Sequence, residues 1–124
     1  MGLIEAYKAL KDIKYRISNI DKPIEVVEVK KDSVMICRGD TCFELFEPVK
    51  LNNNQYIVPV VKWYGDGRKF KLMEKKYIAL GDLNYYMNTS SFVDFADKLK
   101  KIKDVETDMI RLLNFFDFLH KKFL

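Results

Sequence analysis

The sequence predicts an α+β domain: an N-terminal helix, an antiparallel sheet of about five strands arranged as a meander plus a hairpin, and C-terminal helices packed on the sheet. Three observations carry that expectation. Residues 3–20 repeat apolar side chains at helical spacing, residues 24–80 fall into short alternating runs separated by turn residues, and residues 91–124 contain neither Gly nor Pro. With 124 residues, 48% of them hydrophobic and 32% charged, the chain has the composition of one globular domain, residues 1–124. A domain of this length buries roughly two thirds of its unfolded surface and needs no metal to hold a core.

The first helix follows from Leu3, Ala6, Leu10, Ile13, Ile17 and Ile20, which alternate spacings of three and four and so line one apolar seam, with the charges elsewhere. Pro23 ends it. Three strand runs come next: Ile24–Lys30, Ser33–Arg38 and Thr41–Glu47. Gly39-Asp40 is a two-residue hairpin loop with Gly where a type II′ turn needs positive φ. Counting outward, Ile36 faces Phe43 and Val34 faces Leu45. If Lys31-Asp32 closes the first hairpin, Val27 faces Ile36, Val29 faces Val34 and Glu25 faces Arg38. One face then collects Val27, Val29, Val34, Ile36, Phe43 and Leu45, as a meander with one buried side requires.

Pro48 and Asn52-Asn53-Asn54 mark a loop. A second hairpin follows, with strands over Gln55–Tyr64 and Arg68–Met73 and Asp66-Gly67 as its turn. Lys76–Leu80 adds a last short strand, and Leu83–Met87 a short helix. A half-open barrel is the alternative for residues 24–80. In the C-terminal segment, Ser91 with Asp94 three residues on resembles a capping box. Lys98, Lys100, Lys101 and Lys103, followed at once by Asp104, Glu106 and Asp108, suit the end of one helix and the start of another; one continuous, kinked helix is the alternative. The final helix is apolar on most sides. It is expected to be either the central helix of the fold or half of a dimer interface, through Met109, Leu112, Phe116 and Leu119.

Charge is unevenly placed. Residues 62–76 hold six cations and two anions, while residues 1–61 hold nine of each and residues 77–124 seven of each, so the formal surplus of +4 falls in one segment. With Asp66-Gly67 as the loop, Tyr64 faces Lys69 and Lys62 faces Lys71. Like charges across a ladder repel, and a phosphate backbone would relieve them. Cations that track phosphate around a ring that stacks on a base are the chemistry of single-stranded nucleic-acid platforms. Lys62, Tyr64, Arg68, Lys69, Lys71 and Lys75 are therefore the candidate nucleic-acid contacts. The bland reading of the same residues is a solvated, Lys-rich edge that resists aggregation.

Cys37 and Cys42 fall opposite each other in the non-hydrogen-bonded pair beside the Gly39-Asp40 loop, within reach of a disulfide. Two free thiols or a structural bridge are favoured over redox chemistry. His120, the single histidine, sits beside Lys121 and Lys122 at a helix end, where cations suit the dipole. No nucleophile elbow or phosphate loop appears, and two cysteines with one remote histidine do not make a zinc site. No catalytic residue, metal or cofactor is expected. No apolar run reaches the ~18 residues of a membrane helix, and the expected location is the cytoplasm. The functional expectation is a non-enzymatic, dimeric nucleic-acid-binding protein. Its alternative is a protein–protein interaction module that uses the apolar last helix, with the N-terminal seam behind it.

Overall fold

The computed structural model describes residues 2–19, 24–65, 70–101 and 106–124. The architecture is α+β, with helix α1 (Leu3–Asn19), strands β1 (Ile24–Val29), β2 (Ser33–Arg38), β3 (Thr41–Phe46), β4 (Val49–Lys50), β5 (Tyr56–Gly65) and β6 (Phe70–Ala79), then helices α2 (Leu80–Met87), α3 (Phe92–Lys101) and α4 (Glu106–Lys122). All strand pairs are antiparallel, in the order β1-β2-β3-β5, with β4 on the same flank of β5 as β3 and β6 on the other flank.

The meander follows its turn chemistry. Ile36 pairs with Phe43 and Val34 with Leu45 across β2–β3, and Gly39 takes a positive φ of 57°. The Lys31-Asp32 loop closes β1 onto β2, with the Lys30 N–H donating to the Ser33 carbonyl at 2.8 Å, and Val27 meets Ile36. A register shift between Ile24 and Val26 places Ile24, not Glu25, opposite Arg38. Arg38 instead reaches Asp117 on α4, at 3.5 Å.

The second hairpin departs from expectation. β6 is one ten-residue strand rather than two short runs, and it pairs along the whole length of β5. Val58 meets Ile78, Lys62 meets Glu74 and Trp63 meets Met73. The expected register paired Lys62 with Lys71, three positions away. An odd slip turns a strand's side chains to the other face. The observed register buries Ile78 with Val58 and sets opposite charges across the ladder. The Asp66-Gly67 turn itself lies outside the described residues. Pro59, which cannot donate to a ladder, sits where β5 changes neighbours from β3, which reaches Val60, to β4, which begins at Ile57.

One face of the sheet carries the core. Val34, Ile36, Phe43, Leu45, Val58, Val60 and Ile78 are buried against Leu83 and Met87 of α2, Phe95 and Leu99 of α3, and Leu112, Phe115, Phe116 and Leu119 of α4. Edge-on rings lock the layers, Phe43 on Phe116 with centroids 4.8 Å apart and Phe95 on Phe115 at 5.4 Å. The C-terminal segment forms two helices, and the Asp94 N–H donates to the Ser91 hydroxyl at 3.1 Å, as the capping pattern predicts. α2 ends at Asn88, which adopts the left-handed conformation with φ of 55°.

Candidate interaction surface

α1 is attached to this core by its polar side. The Lys11 ammonium lies 3.3 Å from Glu74 on β6 and donates to the Phe123 carbonyl at 2.8 Å. Asp12 is 3.0 Å from His120. Tyr15, buried, stacks on the His120 ring with centroids 3.6 Å apart and donates its hydroxyl to Asp117 at 2.9 Å. These three residues share one side of the helix, since positions one, three and four apart cluster within a helical turn. The apolar seam points away. Leu3 is 91% exposed, Leu10 66%, Ile13 52% and Ile17 71%. Tyr7 is exposed beside them. The seam read from the sequence is present, but it faces solvent where an amphipathic helix normally faces its core. Ile20 lies outside the described residues.

The basic hairpin is only partly a surface. Lys62 is 2% exposed. Its side chain enters the junction between α1, α4 and the sheet, with its ammonium 5.9 Å from the ring centres of both Tyr15 and Phe43 and 3.4 Å from His120 Nδ1. Burial, reinforced by the Lys11 charge and opposed by Glu74, pushes its pKa down to about 8. Lys62 therefore sits in the interior and is closed to a phosphate backbone. Lys75 is exposed, with its ammonium 5.4 Å above the Tyr77 ring. Arg68 and Lys69 lie outside the described residues, as do the side chains of Tyr64 and Lys71.

The tautomer of His120 follows from its partners. An ammonium has only donors, so Nδ1 accepts from Lys62 and Nε2–H donates to Asp12. Burial lowers the histidine pKa, the Asp12 hydrogen bond works against that, and the Lys62 charge adds to it. Asp12 is held below the ordinary carboxylate value by hydrogen bonds from Arg16 first and His120 second. Tyr15 is raised, by burial and then by the Asp117 charge. His120 is thus a buried, neutral linker, not a cation capping a helix end. Sequence reading missed this junction because Lys11, Asp12 and Tyr15 occupy the side of α1 that its charges mark as solvent-facing. No residue spacing announces that such a side will be buried.

The apolar last helix resolves to the central-helix expectation. Leu112, Phe116 and Leu119 are fully buried within the single chain, so they form core and offer nothing to a partner; the side chain of Met109 lies outside the described residues. Cys37 and Cys42 pair across β2–β3 and are joined by a disulfide. With Met35 and Trp63 they form a small cluster on the sheet face away from the helices. There the buried Glu44 accepts hydrogen bonds from Ser33 at 2.6 Å and from the Trp63 indole at 3.2 Å. Among the described residues no group of His, Cys, Asp and Glu side chains is arranged to hold a metal, and no helix is long and apolar enough to cross a membrane. The chain matches no family model, no curated protein and no solved structure.

Proposed function

We propose that the chain is a protein–protein interaction module whose docking surface is the apolar face of α1. The observation that carries this reading is the outward seam of Leu3, Leu10, Ile13 and Ile17 on a helix whose polar residues are used for anchoring. Contiguous apolar patches beyond a few hundred Å² are rare on monomers and mark interaction sites. Any dimer in this reading forms through α1, because the corresponding residues of α4 are occupied in the core. The test is a photo-crosslinking residue placed at Ile13 in the native host, with the same residue at the exposed Tyr85 of α2 as control. A discrete adduct from position 13 that disappears with Leu10→Asp supports the module. Equal, diffuse labelling from both positions refutes it.

A second reading keeps the basic segment. The exposed Lys75, with Arg68, Lys69 and Lys71 before it in sequence, would track single-stranded nucleic acid, with Tyr64 stacking on a base. Fluorescence anisotropy at rising salt tests it. A phosphate-backbone binder loses affinity steeply as counterions compete, and changing Lys69, Lys71 and Lys75 to Glu abolishes binding. No binding to either strand type at low salt ends this reading.

A further inference from the structure

We infer that the occupant of the α1 seam is α1 of a second copy of this chain, packed antiparallel; the inference rests on the interaction-module reading above and names its partner. The seam has the spacing of a two-helix packing. Leu3, Leu10 and Ile17 recur every seven residues, and Ala6 and Ile13 fill the intervening position, which is the a/d pattern of knobs-into-holes pairing. At the exposures observed, Leu3, Tyr7, Leu10, Ile13 and Ile17 together offer on the order of 600 Å² per copy, so their complete burial in a symmetric pair would cover about 1,200 Å² in total, the lower bound of specific interfaces. A two-fold axis through α1 also leaves each body outside the contact, because Lys11, Asp12 and Tyr15 hold it on the opposite side of the helix.

Charge sets the orientation. In a parallel pair Lys14 lies level with Lys14 and Arg16 level with Arg16. In the antiparallel pair the acidic first turn, with Glu5, lies toward the basic last turn of the other copy. The macrodipoles then oppose favourably as well. The layers become Leu10 on Ile13 at the centre and Ala6 on Ile17 beside it, a small residue against a large one.

Two measurements test this on the full chain. Sedimentation velocity across a concentration series is expected to show a reversible dimer, with Leu10→Asp weakening association at least tenfold at unchanged circular dichroism. Oxidative cross-linking reads the orientation, since Cys37 and Cys42 are already bonded. Ala6→Cys mixed with Ile17→Cys is expected to give a cross-linked dimer, while each alone gives none. Cross-linking of each variant with itself means a parallel pair and overturns the orientation. A chain that stays monomeric overturns the inference. If Ile13 still photo-crosslinks to another protein, the module reading survives that result. If the monomer instead partitions onto phosphatidylglycerol vesicles, the seam is a lipid-facing surface and both readings fail.

Discussion

Lys62 shows how a local environment reverses the meaning of a residue type. In the sequence it is one of six cations in a basic segment. In the fold it is an interior ammonium between Tyr15, Phe43 and His120. Breaking such a buried polar arrangement by charge reversal costs about 3 kcal/mol or more, whereas a shape-matched apolar residue is often neutral or stabilising. Lys62→Glu is therefore expected to lower the urea midpoint sharply and Lys62→Met to change it little. A Lys62→Glu protein of wild-type stability would contradict this placement. His120 makes a second prediction. Its folded pKa lies below the ordinary value of 6.5, so the unfolded chain takes up the proton first. The histidine's contribution to stability is complete above pH ~6.5 and is lost as pH falls toward the folded value. The neighbours act elsewhere: Lys62 shifts between 10.5 and about 8, and Asp12 below 3.8; the buried Tyr15 hydroxyl, raised above its ordinary value, stays protonated throughout. The decline that sets in below about pH 6.5 should therefore vanish in His120→Gln. As the chain has one histidine, its NMR titration gives the folded value without ambiguity, and a midpoint above 6.5 would contradict the burial argument.

At the scale of elements, legibility depended on whether a local signal dictated a global choice. The β2–β3 hairpin was readable because a two-residue loop with Gly at its positive-φ position fixes register by itself, and with it the Cys37–Cys42 juxtaposition. The β5–β6 register was misread because an Asp-Gly pair looks like the same kind of loop. Pairing there is settled at the far end, where Ile78 must join Val58 in the core and the chain turns directly into α2. The C-terminal helices α3 and α4 were readable in part: opposite charge clusters suit two successive helices, but the same residues also fit one kinked helix. The role of α1 was half readable: periodicity gives the stripe, but not what the stripe meets. The disulfide belongs to this scale. It closes a loop of five residues' separation, for which the chain-entropy argument gives about 2 kcal/mol of stabilisation. Cys37→Ala with Cys42→Ala is expected to lose about that much in denaturant titrations while leaving the fold and the α1 surface in place. Loss of all cooperative folding would show that the bridge organises the sheet rather than tightening one hairpin.

The whole molecule divides into a sheet-and-helix body and a helix fastened to it by hydrogen bonds, ion pairs and the Tyr15 ring, which is buried in the core and stacks on His120 and Phe116. That arrangement is costly for an isolated chain, since it leaves a row of large apolar side chains in water, and it makes sense where the row has a partner. The most direct test is to truncate the seam and the anchor separately and measure unfolding free energy at concentrations low enough to hold the chain monomeric. If the seam faces solvent, Leu10→Ala and Ile17→Ala each change stability by no more than about 0.5 kcal/mol, and Tyr15→Ala costs several times more. If the seam is packed against the chain's own body, Leu10→Ala and Ile17→Ala each cost about 2–5 kcal/mol at every concentration, and the orientation of α1 set out above is wrong.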